Sequence, residues 1–130
     1  MRKNKVVLVI DDVKSVLQLI RGALIDHPVD VLTAVDGGSG LALAQEVTPD
    51  LVLLDLALPV MDGWDILAAL RADPATEHVP VVIVTAHGDS TTASRARELG
   101  ADGFISKPFR PAELRRTIEG YLEDPAAQAS

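Results

Sequence analysis

Cysteine is missing from the chain, so disulfides, thiolate metal sites and cysteine nucleophiles are all excluded. Aromatic residues make up only 3% of the 130, which leaves Val, Leu, Ile and Ala to build the core. Positive charge is also in short supply: twelve Lys and Arg against nineteen Asp and Glu give a net charge of -7. A nucleic-acid surface needs a clustered positive face, so no direct nucleic-acid partner is expected. Long hydrophobic runs are lacking too. The start Met1-Arg2-Lys3-Asn4-Lys5 looks like the charged end of a signal peptide, but the apolar run Val6 to Ile10 then meets Asp11-Asp12, too short for a signal core or a membrane span. The expectation is a cytoplasmic protein with no membrane partner. The length suits one globular domain with a real core and is too short for two.

The residues that are present alternate between two periods. Lys5 to Ile10, Asp30 to Val35, Leu51 to Leu54, Pro80 to Val84 and Gly103 to Ser106 read as strands. Between them lie apolar residues at helical spacing. Val13, Val16, Leu17, Ile20 and Leu24 run up to about His27-Pro28, and Leu41, Ala44 and Val47 mark a small helix ended by Thr48-Pro49. Asp62-Gly63 opens a third helix carrying Ile66, Leu67 and Leu70. Ser90 to Leu99 offers mainly Ala93, Ala96 and Leu99 to a core, so it should be loosely held, and Gly100 ends it. Pro111 opens a last helix with Leu114, Ile118 and Tyr121-Leu122. This divides the chain into a domain over residues 4–122 and a short disordered tail over 123–130. Asp36-Gly37-Gly38-Ser39-Gly40 lacks the Gly-Lys-Ser/Thr ending of a phosphate loop and reads as a turn.

Strands separated by single helices imply right-handed crossovers and a parallel sheet covered on both faces. The fold class is therefore α/β, a doubly wound five-stranded parallel sheet in a three-layer sandwich with five helices, and in the doubly wound order 2-1-3-4-5 the first and third strands would be neighbours near its centre. In such sheets ligands bind in the crevice beyond the strands' carboxyl ends, where the winding reverses. Asp11, Asp12 and Asp55 end the first and third strands and converge there, with Thr85 and Lys107 ending the next two. Taken alone, Asp12 or Asp55 reads equally well as a loop residue capping the next helix.

Together the three acids need compensation. Two carboxylates about 5 Å apart repel by roughly 3 kcal/mol at an effective dielectric near ~20. A divalent metal and an ammonium would relieve that, and an all-oxygen carboxylate site suits Mg²⁺. Lys107 supplies the ammonium, while Thr85 and the backbone N–H of Ala86 can donate to a phosphoryl oxygen. Asp55 would be a nucleophile able to form an acyl phosphate, which makes phosphoryl transfer the chemistry to expect.

From about Lys5 to Leu122 the chain resembles the receiver domain of two-component response regulators, the CheY-like superfamily. The likeness rests on Asp11-Asp12 after the first strand, on Asp55 followed by Pro59-Val60-Met61-Asp62-Gly63, on Thr85-Ala86, and on Lys107-Pro108-Phe109. The resemblance implies that Asp55 accepts a phosphoryl group from a phosphohistidine on a sensor histidine kinase or phosphotransfer protein. It implies Mg²⁺ (or Mn²⁺) held by Asp11, Asp12, the Asp55 side chain and the backbone carbonyl of Ala57. Thr85 would swing toward the phosphoryl group, Phe104 would rotate into the vacated space, Lys107 would pair with the phosphoryl group, and the Lys107-Pro108 bond would be cis. The face built from the fourth helix, fifth strand and fifth helix would control a downstream protein effector or a phosphorylation-linked homodimer. Phe104 stands where tyrosine is commoner, and Ala57 and His87 stand where the family tunes dephosphorylation. The protein would be a switch and not a turnover enzyme.

Two other classes remain open. One is a receiver that binds partners without phosphorylation. The other is an Asp-nucleophile phosphohydrolase, which would be expected to carry a general acid at position 57, where this chain has alanine. His27 and His78 read as solvated loop residues, and Met61 and Trp64 as packing residues near the loop.

Overall fold

Unalternating runs of Val, Leu and Ile form strands here because both faces of the sheet are covered. The computed structural model describes residues 4–86 and 88–122. Five strands, β1 (Lys5–Ile10), β2 (Val29–Ala34), β3 (Leu51–Leu54), β4 (Val81–Thr85) and β5 (Gly103–Ser106), pair in parallel in the order β2-β1-β3-β4-β5. Five helices alternate with them: α1 (Lys14–Ala23), α2 (Gly37–Val47), α3 (Gly63–Ala72), α4 (Ser90–Glu98) and α5 (Pro111–Leu122). Every second strand residue serves the same layer. Val7, Val9, Leu51, Leu53, Val82 and Val84 pack against Leu17 and Ile20 of α1 and Leu114 and Ile118 of α5. Leu8, Ile10, Val52, Leu54 and Ile83 pack on the other face, against Ala44 of α2, Ile66, Leu67 and Leu70 of α3 and Ala96 of α4.

Several boundaries differ from the sequence reading. β2 starts at Val29, and β4 takes in Thr85 and leaves out Pro80, which has no N–H to give the ladder. α1 ends at Ala23, short of His27, and α4 ends at Glu98. The glycine-rich segment after β2 is the first turn of α2, not a turn between elements. Asp36 caps it by accepting the Ser39 N–H at 2.7 Å. A Cβ on Gly40 would lie 2.6 Å from the Ile10 side chain, and one on Gly37 2.8 Å from the Met61 carbonyl oxygen. The glycines let α2 lie directly on the sheet and α3, a requirement that sequence propensity does not register. His27 is half-buried, its Nε2 2.6 Å from Glu119 Oε1 on α5, so it is not a solvated loop residue. His78 is exposed. The expected tail over 123–130 lies outside the described residues.

Candidate functional site

Parallel register brings the strand ends to one edge. Ile10 is level with Leu54, so Asp11 and Asp55 emerge side by side, and the Asp55 N–H bonds the Ile10 carbonyl at 3.0 Å. Thr85 is level with Ser106 on β5, and its carbonyl accepts the Lys107 N–H at 2.8 Å. Oxygen atoms of Asp11, Asp12 and Asp55 all lie within 4.8 Å of one another. Asp11 and Asp55 are buried and Asp12 is exposed at the rim. Val13 and not Asp12 occupies the N-cap of α1, without a side-chain cap, which leaves the Asp12 carboxylate to the cluster.

Each buried carboxylate divides its two oxygens in the same way. Asp11 accepts the Val13 N–H through Oδ1 at 2.9 Å and the Lys107 ammonium through Oδ2 at 2.7 Å. Asp55 accepts the Ala57 N–H through Oδ1 at 3.2 Å and the same ammonium through Oδ2 at 3.0 Å. Three carboxylates against one ammonium leave an excess of two negative charges in a largely buried crevice. Hard, all-oxygen donors at that charge fit a divalent cation such as Mg²⁺ or Mn²⁺.

The titration behaviour follows from burial and pairing. Burial pushes the Asp11 carboxyl above its ordinary range, and the bonds from Lys107 and Val13 offset this only in part. Burial alone would lower Lys107, but its bonds to Asp11 and Asp55 prevail and hold it above the usual lysine value. A carboxyl whose folded pKa is raised takes up its proton more readily in the folded chain, so charged Asp11 weakens the metal-free fold at neutral pH. That penalty fades as pH falls through the raised value. Lys107 runs the other way: its contribution is complete below the unfolded lysine pKa near ~10.4 and is lost as pH rises through the higher folded value. In metal-free protein, Asp11→Asn is therefore expected to unfold at a higher temperature than wild type at pH 7. Calorimetry should show the two midpoints converging toward pH 4, whereas a gap that widens on acidification would contradict the assignment.

Thr85 is fully buried at the end of β4, on the strand next to Asp55. Phe104 is half-buried and packs on the α2-α3-α4 side of the sheet. The Lys107-Pro108 bond is cis. Ala57 and Ala86 are exposed at the crevice mouth, and His87 lies outside the described residues.

A family model for the response regulator receiver domain matches residues 7–119. The chain belongs to that family. MtrA of Mycobacterium tuberculosis, a DNA-binding response regulator, is 38% identical over 128 residues, covering 95% of this chain and 55% of its own. The receiver thus spans about half the length of that relative, and 23% of another curated response regulator. Among solved structures, the chemotaxis response regulator CheY4 of Vibrio cholerae superposes with a TM-score of 0.85 at 31% identity, covering 92% of this chain and 100% of its own. The Mn(2+)-bound form of response regulator Rcp1 gives 0.76 at 27% identity, covering 89% and 90%.

Two residues of the motif at 59–63 shape the loop beside this receiver's site in ways their spacing does not show. Gly63 is one: its N–H bonds the Leu56 carbonyl at 2.9 Å and closes the loop that follows Asp55. Val60, in the same loop, is fully exposed at a φ of 67°, a strained conformation for a β-branched residue. Asp-Gly signalled a helix start, but nothing in the spacing reveals a close approach to the backbone. Among the described residues no helix is long and apolar enough to cross a membrane.

Proposed function

We propose that this receiver is a two-component phosphoacceptor switch spanning residues 4–122, in which Asp55 takes the phosphoryl group. An Asp55 carboxylate oxygen attacks phosphorus as the P–N bond of a donor phosphohistidine breaks. The departing imidazole nitrogen keeps the bonding electrons and picks up a proton. The observation that carries this reading is the cluster itself: three carboxylates within 4.8 Å, two of them sharing one partly buried ammonium. Asp11, Asp12, Asp55 and the backbone carbonyl of Ala57 would hold the divalent ion, and the Mn(2+)-bound relative supports that choice. Bound there, the ion supplies positive charge to the oxygens of the phosphoryl group in flight. Lys107 exchanges its carboxylate partners for phosphoryl oxygens, and Thr85 and the Ala86 N–H donate to another.

The partners of this reading are a sensor histidine kinase or phosphotransfer protein upstream and, through the α4-β5-α5 face, a protein effector or a homodimer partner, all in the cytoplasm. Apart from its own phosphorylation and dephosphorylation, the chain turns nothing over. Incubation with Mg²⁺ and acetyl phosphate should add one acid-labile phosphoryl group by mass spectrometry, and Asp55→Asn should add none. Steady release of inorganic phosphate from a simple ester would instead identify a hydrolase, and no modification by any donor would leave a binding module.

Lys107 and the metal compete for the same carboxylates. Lys107→Met should therefore keep Mg²⁺ affinity or tighten it, by up to about tenfold, since a positive charge on the shared carboxylates is removed. Isothermal titration would check this; a large loss of affinity in the variant would mean that Lys107 does not oppose the ion.

A further inference from the structure

α4 is held to the rest of the domain by unusually little. Ala96 is its one buried residue, whereas α3 buries Gly63, Ile66, Leu67 and Leu70. Between the first turns of α4 and the loop after Asp55 lies an open groove of about 370 Å³, lined by Leu56, Ala57, Asp62, Trp64, Thr91 and Arg95. One long side chain crosses it. The Arg95 guanidinium sits over the Trp64 ring, 4.4 Å from its centroid. Trp64 is the second residue of α3, whose start is fixed by the Asp62 cap and by the Gly63 bond to Leu56. The stack therefore joins the weakly anchored helix directly to the acceptor loop.

We propose that the Arg95–Trp64 stack is a latch that holds α4 in its resting position, the one seen when Lys107 pairs with Asp11 and Asp55. This rests on the phosphoacceptor reading and adds a regulatory element to it. Ser90 follows Thr85 by five residues, a short tether through which a shift of Thr85 and Ala86 toward a group on Asp55 would pull on the first turn of α4. The groove gives that turn room to move. Trp64 cannot follow, because its backbone is tied to the acceptor loop. The stack belongs to one position of α4 and is lost in the other, and a contact made in only one of two states biases the equilibrium by its own free energy.

Exposed cation–π pairs are weak, so the latch should shift populations about two- to fivefold and not lock the helix. The full chain with Arg95→Gln tests it. Without ligand, α4 amides should exchange about two- to fivefold faster by hydrogen-exchange mass spectrometry, with the strands unchanged. Half-saturation by beryllofluoride with Mg²⁺, followed through Trp64 as the single tryptophan, should fall by the same factor. Arg95→Lys, which keeps a cation over the ring, should return both values toward wild type. Unchanged beryllofluoride affinity in Arg95→Gln would overturn the latch while leaving the acceptor reading intact. Beryllofluoride binding that is absent in wild type would sink the acceptor reading, and the latch with it.

Discussion

Gly63→Ala is expected to destabilise the fold by about 3 kcal/mol or more and to slow phosphorylation by acetyl phosphate at least tenfold. Helix propensity alone predicts the opposite sign, since alanine is better than glycine inside a helix by about 1 kcal/mol. Packing decides the matter. A Cβ at position 63 would lie 2.3 Å from the Asp55 carbonyl oxygen and 2.5 Å from Leu56 Cα. Both are backbone atoms, which cannot rotate away as a side chain can. Either α3 moves off the sheet, unseating Ile66, Leu67 and Leu70, or the chain carrying Asp55 moves. The second course displaces the acceptor carboxylate from Lys107, and phosphoryl transfer depends on position. Gly120→Ala makes the control: nothing lies within 4 Å of its Cβ position in α5, so that variant should gain roughly 0.5–1 kcal/mol. Urea unfolding of both variants would test the contrast; a stabilised Gly63→Ala would show that the loop and helix separate freely.

That contrast marks the boundary of what was legible in advance. The strands were readable because a sheet covered on both faces demands unbroken apolar runs, and a carboxylate, threonine or lysine ending such a run has nowhere to go but the crevice. Asp11, Asp55, Thr85 and Lys107 could be placed at one sheet edge on that ground, with strand order and parallel register as the further information needed. Glycines were misread wherever their role was to leave space. Gly37 and Gly40 look like turn residues in a sequence, and only the nearness of Ile10 and Met61 shows them to be helix contacts. Pairings across long separations were equally hidden. His27 meets Glu119 across 92 positions, and neither residue type announces a partner. The Asp12 ambiguity was resolved by a backbone detail, the extended Val13 at the N-cap.

Arg71 belongs with the contacts that spacing conceals, and its replacement carries the second large expectation. Arg71→Ala should cost about 3 kcal/mol, a sizeable part of the roughly 5–15 kcal/mol that holds a domain together. From the end of α3 the guanidinium donates to four acceptors: the Gly100 carbonyl at 2.9 Å, the Glu77 carbonyl at 3.0 Å, the Val79 carbonyl at 2.7 Å and Asp102 Oδ2 at 2.8 Å. These join the approach to β4 with the turn between α4 and β5. Asp102 extends the network, since the same oxygen accepts the Val81 N–H at 2.9 Å and its carbonyl accepts the Tyr121 hydroxyl at 2.8 Å. Gly100 takes a φ of 104°, open to glycine, and the Arg71 stem comes within 3.1 Å of where a Cβ would be. Bonds from a charged donor contribute about 1.5–3 kcal/mol each, but these share one partly exposed group and do not add. Lysine cannot substitute, because one ammonium cannot meet acceptors spread around a planar fork. Arg71→Lys should thus recover less than half of the loss. Chemical denaturation would give the magnitude and hydrogen exchange its location, with the loss of protection centred on residues 99–103 and at the start of β4. A cost below about 1 kcal/mol for Arg71→Ala would mean that water replaces the guanidinium at those carbonyls with little penalty. The α4-β5 turn would then owe its shape to the chain around it, not to α3.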